Sequence, residues 1–439
     1  MRDLLLAFIV AAGCIAALRR PWVGIMLWTW LSIMNPHRYA YGFALTAPLA
    51  LLAALSTLIG FLMTRDRTSP FKGSPVAWFV GFMVWATLSW LLGFDIEGDF
   101  EQWKKVMKID IMLILGLMLL HNRIHIFSMM WVSAGSIALL GAKGGLFTLT
   151  SGGSFRVWGP PGSFIEDNNE FALAVIMVIP LLRFLQLQIQ SNKGRLIMFV
   201  VMGLCAASAI GSYSRGAILA LAAMLTVLWF RGRNKLQAGL LIVLLALPLL
   251  AFMPEQWSAR MTSIQTYDED SSATGRINAW HAAWNIATHY VQGAGFNPAT
   301  PQVFARFAPD PTAIHAAHSI YFQVLGNHGF IGLFLFLGIY IATWQSAGWL
   351  RNQKNLPIDA TWCRDMGAMC QVALAGYAVG GAFLSLAYFD LPYNIMSMVV
   401  LTRVWVEKQS WKTEPLSPPK WMQRLGLAAP QKEADKSVN

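Results

Sequence analysis

The residues best suited to chemistry lie in one polar stretch, roughly Pro254 to Ala317, and just after it. His318 stands where this stretch gives way to aromatic and apolar residues at helical spacing. An imidazole titrates near neutral pH and can accept a proton from a hydroxyl, so His318 is the candidate general base. A polar cap bonded to the backbone is the simpler alternative for a single histidine. His315 and His328 are also close in sequence, and spacing alone does not choose among the three.

Three arginines lie in short segments that contain Gly, Ser or Pro: Arg156, Arg215 and Arg276. A planar guanidinium binds the oxygens of a diphosphate in pairs and never loses its charge. Arg215 and Arg276 also lie at or near predicted helix starts, where backbone N–H groups favour an anion. Contact with lipid headgroups is the alternative for any one of them. We expect nearby polar residues to support an anion site: Asn168, Asn169, Tyr213, Ser319 and His315.

The sequence does not predict a metal site. His315 and His318 are spaced as two ligands on a helix could be, but a third ligand is not evident. Asp268-Glu269-Asp270 resembles the Asp-x-Asp that holds a metal in nucleotide-sugar glycosyltransferases. It lies in a Ser-rich stretch, and we interpret it as a solvated acidic turn. We expect no metal and no cofactor.

The composition indicates a membrane protein. The chain has 439 residues, of which 56% are hydrophobic and 13% charged, whereas soluble proteins carry about 25% charged residues. The formal charge of +11 does not indicate nucleic-acid binding, because the basic residues sit in short connectors between apolar runs. The four cysteines lack the paired spacings of a zinc site and are most simply packing residues.

The apolar runs predict an all-α, polytopic membrane protein of about twelve transmembrane helices. Thirteen runs are candidates: 3–18, 21–36, 42–63, 75–93, 108–121, 125–148, 170–190, 196–213, 215–231, 236–253, 329–350, 366–388 and 391–406. We expect four segments, namely N-terminal membrane helices (1–253), a large outer loop containing helices (254–317), C-terminal membrane helices (318–406) and a disordered cytoplasmic tail (407–439).

The basic residues also predict the orientation. One set of alternating connectors carries a cluster of Lys and Arg, for example Arg65, Arg67, Lys193 and Lys354, and is expected to be cytoplasmic. The other set, 94–107, 149–169, 211–215 and 254–317, then lies outside. The candidate arginines therefore lie on the face where the positive-inside rule does not explain them.

Taken together, these outer motifs resemble the O-antigen ligase/polymerase superfamily, over roughly residues 150–345. The resemblance rests on five motifs: Asp167-Asn168-Asn169-Glu170-Phe171-Ala172-Leu173, the Ser-Arg-Gly-Ala of 214–217, the Gly-Arg-x-x-x-Trp of 275–280, the Gly-Ala-Gly-Phe of 293–296 and the His-Ser…Gly-x-x-Gly of 318–332. The Gly-Pro-Pro-Gly-Ser-Phe version that begins at Gly159 is most similar to the ligase branch associated with exosortase systems.

The resemblance implies a GT-C-like enzyme of the bacterial inner membrane, with its active site facing the periplasm. Such proteins move a glycan from undecaprenyl diphosphate to an acceptor: lipid A–core in ligases, another repeat unit in polymerases, or a protein hydroxyl in O-oligosaccharyltransferases. By resemblance, His318 matches the functional histidine, and Arg215 and Arg276 match the arginines that bind the donor diphosphate. Asn327 departs from the pattern, because many members carry an acidic residue there.

We therefore expect an inverting O-antigen ligase that contacts membrane lipids, the lipid-linked glycan and lipid A–core, and no nucleic acid. A polymerase or protein O-oligosaccharyltransferase with the same donor is the first alternative. A transporter of lipid-linked glycan is the second. It would need cations at mid-membrane depth, where only Lys143 and Arg183 are candidates, and both lie near the ends of their runs.

Overall fold

The computed structural model describes residues 1–231, 251–262 and 271–414. Within these ranges all regular structure is helical, as predicted. The α-helices are α1 (Arg2–Arg19), α2 (Pro21–Met34), α3 (Leu49–Met63), α4 (Ser74–Leu91), α5 (Ile96–Leu119), α6 (Arg123–Thr150), α7 (Asn168–Gln188), α8 (Asn192–Ile210), α9 (Arg215–Arg231), α10 (Glu255–Thr262), α11 (Ser271–His289), α12 (Pro301–Phe307), α13 (Ile320–Arg351), α14 (Trp362–Gly380) and α15 (Asp390–Glu407).

Several helices are long and apolar enough to cross a membrane. Six described segments meet that criterion: Ser74–Leu91, Arg123–Thr150, Asn168–Gln188, Asn192–Ile210, Ile320–Arg351 and Ile358–Phe383. Three shorter apolar helices are also described: Pro21–Met34, Leu49–Met63 and Arg215–Phe230. The predicted run 236–253 lies outside the described residues except at its end. A count of about twelve spans, and the four-segment division, stay predictions.

Helix starts follow from local chemistry at the residues that precede them. Asp95, Asn122 and Asp167 each accept a backbone N–H of the first turn, which satisfies a donor that the helix itself leaves free. Proline occupies the first or second position of α2, α4 and α12, where its missing N–H costs nothing. These caps fix where α5, α6 and α7 begin, and the start of α7 proves important for the site.

The core of the molecule surrounds α7. This helix is buried along nearly its whole length and packs against α6, α8, α9 and α14. Small residues let neighbouring helices approach closely: a Cβ at Gly145 of α6 would come 1.9 Å from the Leu204 carbonyl oxygen of α8. Such contacts between small residues are typical of helix packing in membranes.

Several predicted boundaries differ from the structure, among them that of the run expected at 108–121, which lies in α5, a helix that already begins at Ile96. The run expected at 329–350 belongs to α13, which already begins at Ile320 and bends at Gly329, where φ is 67°. The bend accommodates another backbone, because a Cβ at Gly329 would lie 2.2 Å from the Val291 carbonyl oxygen. The run expected at 42–63 becomes helical only at Leu49, after Pro48 and two short 3₁₀ turns.

Candidate active site

His318 lies at the junction between the polar segment and α13, and its imidazole points toward the start of α7. Its backbone φ is 42°, a left-handed value that is uncommon for any residue other than glycine. The side chain is 38% exposed, and its Nδ1 lies 3.9 Å from Oε1 of Glu170. The histidine is thus open to a substrate on one side and faces a carboxyl group on the other.

The first turn of α7 supplies two neighbouring carboxyl groups. Asp167 caps the helix by accepting the N–H of Asn169 at 2.8 Å, and the side chain of Glu170 is only 9% exposed. Burial raises the pKa of Asp167, but the hydrogen bonds that it accepts from Asn169, together with the nearby His318, contribute to a pKa below its usual value.

This arrangement suits a general base. A carboxylate that accepts a hydrogen bond from Nδ1–H leaves Nε2 of an imidazole free to take a proton from a hydroxyl, and it stabilises the charge that results. The separation of 3.9 Å between His318 and Glu170 is an ion-pair distance, longer than a hydrogen bond. Catalytic hydrogen bonds often tighten when substrate binds.

A tight turn after α8 is anchored to the same helix start. The side-chain amide of Asn168 donates to the Ser212 carbonyl oxygen at 2.6 Å. Tyr213 adopts a φ of 60°, and its hydroxyl donates to the Gly153 carbonyl oxygen at 2.7 Å. Asn168 and Tyr213 therefore act structurally: they fix the turn that leads directly into Arg215.

Two of the predicted arginines flank this turn. Arg215 is the half-buried first residue of α9, whose start is capped by the Ser214 hydroxyl accepting the N–H of Ala217 at 3.2 Å. The Arg156 guanidinium lies 5.9 Å from the centre of the Tyr213 ring. Burial raises the pKa of Tyr213, and the charge of Arg156 opposes that shift. A guanidinium at a helix start, with a second one nearby, creates positive potential for an anion.

The third arginine lies on α11, which contacts the segment just before His318. Arg276 is half-buried in that helix, and a Cβ at Gly275 would lie 2.4 Å from Cδ2 of His315. Four residues later, the Trp280 indole donates to the Ala317 carbonyl oxygen at 2.7 Å. These contacts lay the 315–317 backbone along α11, so the segment bearing Arg276 and the loop bearing His318 form one unit.

Contacts among helix ends draw α9, α13 and α14 to the same place. A Cβ at Gly216, in the first turn of α9, would lie 3.2 Å from Cβ of Phe383. A Cβ at Gly381 would lie 2.6 Å from Cδ1 of Ile320, which is two residues from His318. The starts of α7, α9 and α13 and the end of α14 therefore meet around one region.

The structure separates the three candidate histidines. His328 is fully buried, with Nδ1 2.9 Å from the Ser89 hydroxyl and Nε2 2.7 Å from the Tyr388 hydroxyl, so both ring nitrogens are engaged inside the bundle. His315 is exposed and packs against Gly275. Ser319 is buried, and its carbonyl oxygen accepts the N–H of Gln323 at 2.7 Å. His318 alone of the three histidines combines access with a neighbouring carboxyl group.

The Gly-Ala-Gly-Phe motif has a structural role beside this site. Asp99, buried near the start of α5, accepts the N–H of Phe296 at 2.6 Å, and a Cβ at Gly295 would lie 2.1 Å from that carboxyl oxygen. Burial raises the pKa of Asp99 to about 6, although the N–H of Phe296 counteracts part of the shift. Asn327 completes the brace, because its side-chain amide donates to the Phe296 carbonyl oxygen at 3.2 Å and to the Tyr388 hydroxyl at 2.8 Å.

No group of three or more metal-ligating side chains occurs within the described ranges. The acidic run Asp268-Glu269-Asp270 lies outside the described residues.

Sequence reasoning missed the pairing of His318 with Glu170. Glu170 stands inside the motif that begins at Asp167, so the signal was an acidic residue in the first turn of a membrane helix, where a charge needs a reason. Its partner is distant in the chain, and only the tertiary fold joins them. Asn327, where an acidic residue was expected, instead braces the Gly-Ala-Gly-Phe loop.

Two family models match the chain. Residues 197–337 match the model described as O-antigen ligase, and residues 1–190 match one described as a family of unknown function. No protein among those with curated descriptions matches. The first match contains Arg215, Arg276 and His318, whereas Arg156 and Glu170 lie in the second, so the candidate site draws on both regions.

Proposed function

Because the match over residues 197–337 shows that this chain belongs to the O-antigen ligase superfamily, we propose that it is an O-antigen ligase. In this proposal the protein moves a glycan from undecaprenyl diphosphate to lipid A–core at the periplasmic face of the inner membrane. It belongs to a family of membrane enzymes that use lipid-linked glycans. The similarity to the exosortase-associated branch, through the motif at Gly159, is part of the proposal.

The observation that carries the proposal is the pairing of a half-exposed His318 with the buried Glu170. Arg215 begins α9, Arg156 lies in the loop before α7, and Arg276 belongs to the unit that holds the His318 loop. A base oriented by a carboxylate, with guanidinium groups on the adjoining elements, provides what transfer from a lipid diphosphate requires.

The reaction follows from this arrangement. The acceptor hydroxyl attacks C1 of the donor sugar from the side opposite the diphosphate, so a C–O bond forms as the bond from C1 to the diphosphate oxygen breaks. The hydroxyl proton passes to Nε2 of His318, and Glu170 stabilises the imidazolium. Arg215 and Arg276, assisted by Arg156, stabilise the charge on the departing diphosphate. Attack from the opposite face inverts the anomeric centre.

Two other classes of function are compatible with part of these observations. A polymerase or a protein O-oligosaccharyltransferase would share the donor and the base and differ in the acceptor. A transporter would not need a base, and its mid-membrane cations have local roles here: Lys143 lies 5.1 Å from the centre of the Tyr39 ring, and Arg183 donates to Gln186. We therefore place the ligase first.

The test is an in vitro transfer assay with purified protein, undecaprenyl-diphosphate glycan and three acceptors: lipid A–core, a repeat-unit lipid and a Ser/Thr-rich peptide. We expect transfer to lipid A–core, reduced about 10²- to 10⁴-fold in His318→Ala. His289→Ala is the matched control, because His289 is exposed, hydrogen-bonds within its own helix and otherwise faces the Phe307 ring. Near-normal transfer by His318→Ala would move the base elsewhere, and transfer only to another acceptor would change the enzyme class.

A further inference from the structure

A basic cavity, separate from the His318 site, lies in the region matched by the family of unknown function. It has a volume of about 500 Å³ and is formed by α2, α3, α5, the turn after α2 and the loop before α7. That volume lies within the range of about 300–1,000 Å³ typical of ligand sites. All of its lining residues fall within 1–190, and none of them belongs to the His318 site.

Four cationic side chains line this cavity: Arg38, Lys104, Lys105 and Lys108. Glu101 is the carboxylate among the lining residues, and it pairs with Lys104. The remaining three cations therefore give the cavity a positive potential that suits phosphate esters.

Two of these cations are held in place by the loop before α7. The Lys105 ammonium lies 3.7 Å from the centre of the Phe164 ring. A Cβ at Gly162, where φ is 69°, would lie 2.9 Å from Nη2 of Arg38, so the guanidinium packs directly against the glycine backbone. Burial lowers the pKa of Lys105, whereas the carboxyl groups of Asp390 in α15 and Glu166 in this loop counteract part of that shift. The cavity is thus a built feature, with cations positioned by packing.

An apolar groove continues from the basic cavity. It has a volume of about 220 Å³, lies between α2, α3 and α5, and shares Trp28, Ala50 and Lys108 with the cavity. Its wall includes exposed apolar side chains of α3, among them Leu51 and Leu55. A basic cavity joined to an apolar groove is complementary to an amphiphile with a negatively charged headgroup.

We propose that this cavity and groove bind a phosphate-bearing glycolipid, the acceptor of the transfer reaction, with its phosphates against Arg38, Lys105 and Lys108 and an acyl chain along α3. The assignment as acceptor rests on the proposed function.

The loop before α7 connects this site to the proposed active site. The Glu166 carboxylate accepts the N–H of Gly162 at 2.8 Å, and the backbone carbonyl oxygen of Glu166 accepts the N–H of Gly159 at 2.9 Å. These two hydrogen bonds close the loop on itself. One part of it carries Phe164 against Lys105, and the chain then enters α7 at the turn that bears Glu170. A headgroup held in the cavity therefore lies beside the element that orients His318.

The test measures lipid binding without donor, using the full chain in phosphatidylcholine nanodiscs and native mass spectrometry. The probes are lipid A–core with its phosphates, the same lipid after phosphatase treatment, and phosphatidylglycerol. We expect R38Q/K105Q/K108Q to bind the phosphorylated glycolipid at least tenfold more weakly, with unchanged affinity for undecaprenyl diphosphate. R65Q/R67Q/K354Q is the matched control, because it removes three exposed cations from the predicted cytoplasmic face.

Ala54→Trp, which fills the groove, should weaken binding of the acylated lipid and leave competition by its deacylated headgroup unchanged.

Each outcome decides the matter. Unchanged binding by the triple variant overturns the site, and so does equal binding of the dephosphorylated lipid. Phosphatidylglycerol that competes equally well would show a site for bilayer phospholipid and overturn the acceptor role. Transfer assays on the wild type run in parallel. If the wild type transfers normally and the triple variant binds the lipid as well as the wild type does, only the acceptor site is contradicted. If the wild type transfers glycan to no acceptor, the proposed function is contradicted and the binding result stands.

Discussion

At the residue scale, the contact between Glu170 and His318 explains why a carboxyl group is buried in the first turn of a membrane helix. A buried carboxyl group is costly unless it has a partner or a task. Here the side chain of Glu170 is 9% exposed and faces an imidazole open to substrate. If Glu170 orients His318 and stabilises its charge, the two side chains act as one unit.

We expect Glu170→Gln to reduce transfer about 10- to 100-fold, because the amide can still accept a hydrogen bond from Nδ1 but cannot stabilise the imidazolium charge. The decisive measurement is a double-mutant cycle. In a His318→Ala background, Glu170→Gln should cause no further loss, since the partner through which it acts is already gone. A full additional loss in that background would mean that Glu170 acts independently of His318.

Arg215, the first residue of α9, and Arg276, in the second turn of α11, allow a sharper substitution. We expect Arg215→Lys and Arg276→Lys each to lower kcat about 10²-fold or more, because an ammonium cannot reproduce the paired contacts of a guanidinium with a diphosphate. Arg306→Lys is the control, since Arg306 is exposed and its guanidinium lies over aromatic rings of the polar segment. Full activity of both lysine variants would identify these arginines as headgroup contacts.

Arg156 should matter less than the other two arginines. Its guanidinium lies beside the Tyr213 ring, and that ring is part of the turn anchored to Gly153. Arg156→Lys retains a cation at that ring, so we expect a loss of transfer smaller than that of Arg215→Lys in the same assay. An equal loss would assign Arg156 to the diphosphate directly.

At the element scale, the sequence predicted the helices better than their junctions. The apolar runs follow from local composition, so the helices that contain them were predictable, whereas the cap at Asp95 starts α5 well before the run expected at 108–121. The bend at Gly329 was not predictable, because it depends on Val291 from the polar segment pressing against the helix. His318 and the arginines could be predicted by residue type, whereas the partner of His318 depends on tertiary contact.

The brace between α5 and the Gly-Ala-Gly-Phe loop gives a pH-dependent prediction. Folding raises the pKa of Asp99 from 3.8 to about 6. The folded protein therefore binds this proton more tightly than the unfolded chain, so its contribution to the free energy of unfolding is largest below pH 3.8 and is lost as the pH rises through about 6. Asp99→Asn keeps an oxygen for the N–H of Phe296 and carries no charge, so we expect a higher Tm than wild type at pH 8 and little difference at pH 5.

Thermal unfolding in detergent at the two pH values measures this difference. Glu97→Gln is the control, because Glu97 is exposed on the same turn of α5 and should not alter the pH dependence. A wild-type Tm that rises between pH 5 and pH 8 relative to Asp99→Asn would contradict the assignment.

At the scale of the whole molecule, composition predicted an all-helical protein with membrane-suited helices, but it did not fix the number of spans. The all-helical fold and the membrane-suited helices follow from long apolar runs with few charges. The number of spans does not follow, because short apolar helices are ambiguous. Leu49–Met63 has 15 residues, and at about 1.5 Å per residue it is shorter than the roughly 30 Å of a bilayer core. Such a helix spans only with help from its neighbours.

The charge distribution of the whole molecule leads to a prediction about metal. Arg215, Arg276 and Arg156 belong to elements that meet around His318, and guanidinium groups can neutralise a leaving diphosphate as a metal ion would. We therefore expect purified protein to transfer glycan at an unchanged rate in excess EDTA. We also expect Asp268→Asn combined with Asp270→Asn to cost little activity, as a solvated acidic turn would. The measurement is the initial transfer rate with and without chelator. Activity that is lost in EDTA and restored by Mg²⁺ or Mn²⁺ would instead assign the acidic run a role in binding metal.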